Sequence, residues 1–373
     1  MRIESLTSIR FLAAMMVVFS HLGFLATSES PVLRSLYENV FYEGYIGVTF
    51  FFILSGFILS FSYTSRIRNN EITLSDYIIS RFARIYPLHI LTLLFALPLV
   101  FYAVYKNNDS LLTLIPNIFL VQSFIPSGEY FFSGNAPSWS LSNEMFFYLL
   151  FPFLLFRNNL FLVISSLAIV LFQVTVSQLG LSAGKQHYLI YIFPVTRLLD
   201  FMVGILLFRI YCHFKSKGIS INPDAFQVFS ILLLILAIVM KQNVLQAYRY
   251  DLYYILPMSF LIFSFAYSEG KISSFLSTKI FILLGEASFS LYLIHQLVIR
   301  YISAVNSFVF GFNGVAWDLI FSLLVIIISI VLSLIIYRFY EMTATRHFRK
   351  FLLKKKDKYF NRNDSTDSNS IKS

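Results

Sequence analysis

The sequence predicts an all-α integral membrane protein, a polytopic bundle of about ten transmembrane helices. Hydrophobic residues make up 57% and charged residues only 13% of the 373 residues, and the mean hydropathy is +0.72. This composition leaves too little polar surface for a soluble globular protein. Long apolar segments recur along the chain, and a helix of roughly 20 such residues crosses about 30 Å of hydrocarbon. Helices are the expected spans because they satisfy their own backbone hydrogen bonds in lipid.

The apolar segments give ten predicted spans. They lie near residues 9–25, 46–63, 86–105, 145–156, 160–179, 189–211, 226–240, 252–268, 280–301 and 316–337. The fourth is shorter than a full crossing and contains Pro152, so an earlier start at WSLSNE is an alternative. Residues 111–125 are a candidate half-span, or else a re-entrant or interfacial segment.

The distribution of basic residues predicts the orientation, because short loops rich in Lys and Arg stay in the cytoplasm. One alternate set of loops is richer in such residues and ends with the basic C-terminus, so both termini are predicted to be cytoplasmic. Topology and the basic tail account for the net charge of +10, and no nucleic-acid partner is needed. We expect a membrane domain over residues 1–340 and a basic, partly disordered cytoplasmic tail over 341–373.

The first span carries an ionisable residue near each end, in RFLAAMMVVFSH at 10–21. Eleven residues at 100° each make about three turns, so Arg10 and His21 share one helix face and lie about 16 Å apart along the axis. Taken separately, Arg10 could be a topological anchor and His21 a polar residue that is hydrogen-bonded to a neighbouring helix. The presence of both residues on one helix face indicates a path through the bundle. A neutral imidazole in such a path could act as a general base.

The second span and the segment after it offer two further features. Ser55 and Gly56 interrupt the bulky residues of FFFILSGFILS, which favours either close helix packing or room for a slender ligand. Arg81 and Arg84 are three residues apart and project from one helix face, where two guanidinium groups could bind a phosphate. Topology alone is the simpler explanation of these arginines.

The segment WSLSNEMFFYLLFP places polar residues directly before an apolar run, on the predicted outer side. A helix start explains part of it, since Ser or Asn caps free N–H groups and Glu144 suits the positive end of a helix. Trp139 suits the interfacial aromatic belt. The same aromatic ring and carboxylate would also suit a sugar.

Other polar residues in the spans have simpler explanations. Arg197 and Asp200 are three apart and are expected to form an ion pair within one helix. Cys212 is the only cysteine and is expected to be inert. His89 and His187 are expected to be peripheral, and His295 is expected to bond a neighbouring helix or to serve as a second proton relay.

Taken in order, these motifs resemble acyltransferase family 3, the multi-span acyltransferases that modify cell-surface glycans. The motifs are RFLAAMMVVFSH, FFFILSGFILS, SRFARIYP and WSLSNEMFFYLLFP, followed by LGEASFSLYLIHQ at 284–296. The resemblance covers about residues 5 to 340.

The resemblance implies transfer of an acyl group, most often acetyl from cytoplasmic acetyl-CoA, to a carbohydrate hydroxyl at the outer face. It implies a multi-pass protein of the bacterial inner membrane, with membrane lipid around it and no metal or permanently bound cofactor. The acceptor would be a lipid-linked glycan or a polysaccharide such as O-antigen, capsule or exopolysaccharide.

The resemblance also assigns roles to residues. His21 would be the catalytic histidine, with Arg10 as its motif partner and Glu144, beside Trp139, at the acceptor side. The residues assigned to the acyl donor are Arg81, Arg84, Ser55, Gly56 and Phe57, and those assigned to the acceptor are Trp139, Ser142, Tyr292 and His295.

Two functions from other classes compete with the enzyme. A transporter of a glycan precursor or small solute would also use ten spans and buried charges, but such proteins usually show repeated halves, and the sequence has no evident repeat. A non-catalytic membrane scaffold would leave the pairing of Arg10 with His21 unexplained.

Overall fold

The protein is described here by a computed structural model that covers residues 3–107 and 110–370. Those residues form helices and connecting turns and contain no β-strand. The long helices are α1 (Glu4–Ser20), α2 (Gly47–Arg68), α3 (Leu74–Asn107), α4 (Trp139–Leu155), α5 (Asn159–Gln178), α6 (Pro194–Ser216), α7 (Pro223–Met240), α8 (Leu252–Tyr267), α9 (Ser288–Val305), α10 (Gly314–Ile336) and α11 (Met342–Ser370).

Shorter helical segments connect them. The short α-helices are Pro31–Asn39, Leu114–Ile118, Gly128–Phe131, Ala183–His187, Gln246–Arg249, Lys271–Leu276 and Lys279–Glu286. Short 3₁₀ segments are Gly23–Thr27, Phe41–Ile46, Leu111–Thr113, Gln122–Phe124, Ala136–Ser138 and Lys241–Asn243, and π segments are Tyr188–Ile192, Asn306–Phe310 and Tyr337–Glu341.

Local sequence explains several helix starts. Asn158 caps α5 by accepting a hydrogen bond from the Phe161 N–H at 2.8 Å, and Asn222 caps α7 from the Ala225 N–H at 3.0 Å. Proline occupies the first position of both α6 and α7, where its missing N–H costs nothing. The starts of these helices are therefore encoded within a few residues.

Each of the ten predicted spans overlaps one of the helices α1 to α10, and the all-α membrane fold is confirmed. The ninth predicted span, 280–301, also covers the short helix Lys279–Glu286, which is separated from α9 at Ala287. Within the described residues, eight helical segments are long and apolar enough to cross a membrane. Helices α4 and α8, with 17 and 16 residues, are shorter than these, so the total of ten crossings stays a prediction. Helix α4 does begin at Trp139, at the earlier start that the sequence allowed.

Helices α2 and α6 approach each other unusually closely, at a pair of glycines. A Cβ atom on Gly56 would overlap the backbone carbonyl of Phe201, and one on Gly204 would overlap that of Ile53. Gly56 therefore serves helix packing, one of the two explanations left open by the sequence. Phe57, fully buried, points into the aromatic cluster of Phe208 and Tyr211, with ring centroids 5.9 and 5.7 Å away.

Residues 110–138, which precede α4, form short helical segments that pack into the bundle. Three of their amide side chains are buried and bond backbone groups: Asn117 donates to the Ser133 carbonyl at 2.7 Å, Gln122 to the Ser138 carbonyl at 3.0 Å, and Asn135 to the Leu293 carbonyl of α9 at 2.7 Å. These bonds satisfy backbone groups that would otherwise be buried without a partner. They hold Pro137 and Trp139 against the middle of the bundle.

The last helix, α11, packs along α3. Phe348 stacks on Tyr86, with ring centroids 6.1 Å apart, and Lys356 forms a salt bridge to Asp76 at 2.5 Å. The proposed domain boundary at residue 340 and the partial disorder of the tail stay predictions.

Candidate active site

Two adjoining cavities formed by the described residues are lined by opposite ends of α1. The larger, of about 600 Å³, is lined by Arg10 and is called the Arg10 cavity. The smaller, of about 220 Å³, is lined by His21 and is called the His21 cavity. The two motif residues of the first span therefore each line one cavity.

Four arginines line the Arg10 cavity: Arg10 of α1, Arg81 and Arg84 of α3, and Arg346 of α11. Arg81 donates to the Tyr63 hydroxyl at 3.0 Å, and Arg84 lies over the Phe289 ring at 5.2 Å. Among the described residues, Arg10 has no hydrogen-bonding partner. Three guanidinium groups from α1 and α3 thus converge on one space, which suits an anion with several phosphate oxygens.

Arg84 is held by a buried carboxylate that the sequence did not single out. Glu341, at the end of the π segment before α11, forms a salt bridge with Arg84 and accepts a hydrogen bond from the Ser290 hydroxyl at 2.6 Å. Its side chain is buried, whereas that of Arg84 remains 30% exposed to the cavity. Glu341 therefore orients Arg84 without occupying its cavity-facing side.

Glu144 lines a different cavity from Trp139, beside which the resemblance placed it. It lines the Arg10 cavity, where its carboxylate accepts a hydrogen bond from the Tyr148 hydroxyl at 2.7 Å, and it interacts electrostatically with Arg10. The expected neighbour, Trp139, lines the His21 cavity. The reason is geometric: five residues of α4 rise about 7.5 Å, enough to separate the two side chains.

The ring of His21 is fixed through Nδ1. That nitrogen lies 2.8 Å from the Val17 carbonyl and 3.3 Å from Nε2 of His295. Nδ1 of His295 in turn lies 3.2 Å from the Leu291 carbonyl. A carbonyl can only accept, so each imidazole is assigned its proton on Nδ1. The Nδ1–H of His21 donates mainly to the Val17 carbonyl, and Nε2 of His295 is a second, more distant acceptor of the same proton.

This arrangement leaves His21 Nε2 as an unprotonated acceptor with no partner among the described residues. His21 lines the smaller cavity, whereas His295 is fully buried behind it and is absent from the described lining of either cavity. The geometry therefore places His295 as a partner of His21, whereas the resemblance assigned it to the acceptor. A neutral imidazole with one free nitrogen facing a cavity can take a proton from a bound hydroxyl.

Tyr292 lines both cavities, as does Val48. Its hydroxyl donates to the Ser140 hydroxyl at 2.8 Å, and Ser140 donates to the Pro137 carbonyl at 3.0 Å. These side chains form the boundary between the Arg10 cavity and the His21 cavity. A group that passes from one cavity to the other must pass this boundary.

Of the remaining predicted site residues, some line a cavity and others do not. Ser55 lines the Arg10 cavity, as expected, but Gly56 and Phe57 do not. Ser142 is fully buried and accepts a hydrogen bond from Ser123 at 2.6 Å, so it contacts neither cavity.

Two histidines were expected to be peripheral, and one of them is not. His187 lines the His21 cavity, with its ring 5.3 Å from those of both Tyr191 and Tyr250. His89 is fully buried, 3.0 Å from the Asn117 carbonyl through Nε2. The aromatic residues beside His187 in the sequence were a sign that it could belong to a site. Only the fold shows that it lines the same cavity as His21.

The predicted ion pair between Arg197 and Asp200 is present, with an N–O distance of 2.7 Å. Arg197 also reaches Asp251 of the segment before α8 at 3.1 Å and donates to Thr49 of α2 at 2.9 Å. All these charged side chains are fully buried. The pair is therefore part of a network that joins helices and is not confined to one helix.

The cavities and their residues agree with the comparison with known families. A family model described as an acyltransferase domain, Acyl_transf_3, matches residues 3–338. The chain belongs to acyltransferase family 3. It is a multi-pass membrane protein and an O-acyltransferase, and membership decides for the enzyme over the transporter and the scaffold.

Relatives with assigned names support the same conclusion. The chain is 30% identical to acyltransferase MdmB of Streptomyces mycarofaciens over 320 residues, which are 80% of each protein. It is 28% identical over 351 residues to O-acetyltransferase OatA of Staphylococcus aureus, covering 85% of this chain and 55% of OatA. The prediction of an enzyme of the O-acetyltransferase type is confirmed. No solved structure matches the chain significantly.

Proposed function

We propose that this protein transfers an acetyl group from cytoplasmic acetyl-CoA to a hydroxyl of a surface or exported polysaccharide. The observation that carries the proposal is the pair of adjoining cavities, one lined by four arginines and the other by an imidazole with a free nitrogen. Donor and acceptor would approach from opposite ends of the bundle and meet at Tyr292.

The Arg10 cavity has the chemistry that a CoA donor requires. The phosphates of CoA are anions, and Arg10, Arg81 and Arg84 offer charge-assisted hydrogen bonds to them. The cavity volume of about 600 Å³ is within the range of roughly 300–1,000 Å³ typical of small-molecule sites. The pantetheine arm would extend past Ser55 toward Tyr292, which brings the thioester to the boundary.

The His21 cavity would hold the acceptor hydroxyl. In the transfer step, Nε2 of His21 takes the hydroxyl proton while the oxygen attacks the thioester carbonyl carbon. A C–O bond forms, the C–S bond breaks, and the CoA thiolate leaves and is then protonated. His21 releases its proton and returns to the neutral state. Transfer through an acyl-histidine is the alternative route, in which Nε2 attacks the thioester first.

The supply of donor places the enzyme in the bacterial inner membrane. Acetyl-CoA is made in the cytoplasm, so we assign the Arg10 cavity to the cytoplasmic side and the His21 cavity to the outer side. This orientation agrees with the distribution of basic loop residues.

Mass spectrometry of glycans from cells with and without the gene tests the function. We expect a mass difference of one acetyl group per modified sugar, present only when the wild-type gene is expressed. Purified protein should transfer label from acetyl-CoA to the same glycan, and to no glycan when acetyl-CoA is omitted. Identical glycan spectra from the two strains, together with no transfer in vitro, would overturn the proposal. Label that remains on the protein when acceptor is left out would identify the acyl-histidine route.

A further inference from the structure

The His21 cavity has a chemical character that narrows the class of acceptor. Its described lining contains no Asp, Glu, Lys or Arg. It is instead rich in aromatic rings, among them Trp139, Tyr191, Tyr250 and Tyr292. We propose that this cavity binds a single uncharged sugar ring and discriminates against acidic sugars. This inference rests on the proposed function, in which the same cavity holds the acceptor.

The size of the cavity favours one ring. Its volume of about 220 Å³ is below the range of roughly 300–1,000 Å³ that encloses a drug-sized ligand. An extended oligosaccharide would exceed this space, whereas one pyranose ring with its hydroxyls is of suitable size. The rest of a polysaccharide would remain outside the cavity.

Unengaged polar groups in the lining match the hydroxyls of a sugar. The indole N–H of Trp139 and the hydroxyl of Tyr42 have no hydrogen-bonding partner among the described residues, and the same is true of His21 Nε2. One indole donor, one hydroxyl and one imidazole acceptor can each bond a separate hydroxyl group. The faces of the surrounding rings pack against the apolar C–H faces of the sugar.

Of the cations near the cavity, Arg197 and Arg249 are already paired with carboxylates, and Arg300 donates to the Gly134 carbonyl at 3.0 Å and is absent from the described lining. Arg197 lies behind the wall, over the Tyr191 ring at 5.4 Å, and is fully buried in its salt bridge with Asp200. Arg249, close to Tyr45, forms a salt bridge with Glu43. A carboxylate on the acceptor would therefore lose its hydration without gaining a counter-charge, which is strongly unfavourable.

Paired sugars that differ only at C6 test the inference. Purified protein with acetyl-CoA is given methyl glucoside, methyl glucuronide and methyl glucuronamide, and the same three derivatives of galactose and mannose. We expect kcat/KM for the uronates to be at least about tenfold lower than for the neutral sugars, because the charge is desolvated without a partner. The uronamides, which have the size of the uronates without the charge, should regain most of the activity.

A variant with a cation at the mouth of the cavity tests the cause directly. Phe132 lines the cavity and its side chain is 41% exposed, so Phe132→Lys adds a positive charge there without burying it. We expect the preference for neutral over acidic sugars to fall by about threefold in Phe132→Lys, the effect of a partly exposed ion pair. Phe132→Leu, the matched control, should keep the wild-type preference.

Several results would overturn the inference. Equal use of uronates and neutral sugars would remove the charge discrimination, and uronamides as poor as uronates would show that shape decides. Failure to use or be inhibited by any of the sugars, by protein that still acetylates its native glycan, would exclude a one-ring site. Loss of native glycan acetylation itself would count against the proposed function instead.

Discussion

At the scale of single residues, we expect the reaction to depend on His21. We expect His21→Gln to abolish glycan acetylation, because an amide keeps hydrogen bonding but cannot accept a proton in the required range. Acetyl-CoA-dependent labelling of glycan by the purified variant measures this, and size-exclusion chromatography shows whether the variant is folded. Transfer near the wild-type rate would make the histidine structural.

His295 is expected to act through His21 and not on the substrate. His295→Ala removes the more distant of the two acceptors near the Nδ1 proton of His21 and leaves the Val17 carbonyl, so the ring is held less firmly and kcat should fall by about 10-fold, the lower end of the effect of partners that orient a metal-bound histidine. KM for both substrates should stay within about twofold, since His295 is absent from the described lining of either cavity. His295→Gln, whose amide oxygen can accept the same bond, should recover part of kcat. A rise in KM with unchanged kcat would instead indicate a substrate contact.

Arg81 and Arg84 should affect the donor more than the acceptor. Each Ala substitution removes charge-assisted hydrogen bonds worth about 1.5–3 kcal/mol, so KM for acetyl-CoA should rise while KM for the glycan changes little. Lys should restore only part of the loss, because it lacks the planar pair of donors. Titration of acetyl-CoA against both variants measures this, and unchanged donor affinity in both would exclude CoA binding.

The sequence predicts these residues unequally. Spacing on one helix was enough to place Arg10 with His21 and Arg81 with Arg84, because helix geometry fixes which side chains share a face. The salt bridge between Arg84 and Glu341 joins residues 257 positions apart, so no local pattern could show it. The cavity that Glu144 lines, and the place of His187, likewise depend on how distant helices pack.

At the scale of helices, the contact between α2 and α6 is the least tolerant of change. Gly204→Ala places a Cβ against the Ile53 carbonyl, so the helices must separate, and we expect a loss of about 1–3 kcal/mol of stability. Thermal unfolding in detergent, followed by tryptophan fluorescence, measures it. Gly184→Ala is the matched control, since its Cβ would meet no atom within 4 Å. Equal melting temperatures for the two variants would refute close packing at Gly204.

Helix positions follow from the sequence more readily than the connections between them. Apolar segments of sufficient length gave one helix for each predicted span, because lipid imposes the same requirement on all of them. The segment between α3 and α4 could not be placed in the same way. Its Asn and Gln side chains are typical of a polar loop in the sequence. Only the structure shows that they are buried and bonded to distant backbone groups.

At the scale of the whole molecule, labelling of the single cysteine can measure the orientation of the protein in the membrane. Cys212 is exposed near the end of α6 that is predicted to face the cytoplasm. A maleimide that cannot cross membranes should therefore label it only after spheroplasts are permeabilised. Ser182→Cys in a Cys212→Ser background, on the predicted outer side, should label in intact spheroplasts. Labelling of Cys212 in intact spheroplasts would reverse the assigned topology.

The boundary at Tyr292 and Val48 also has an electrical consequence. A water-filled passage through the bundle would let ions move down the membrane potential, which drives each elementary charge with about 2.3 kcal/mol per 100 mV. Because the two cavities face opposite ends of α1, the few side chains between them, including Tyr292 and its bond to Ser140, must act as insulation. Passage of a small uncharged acyl group is compatible with that insulation, whereas passage of the whole anionic donor is not. With the function proposed above, the enzyme would export the acyl group and retain the carrier without discharging the cell.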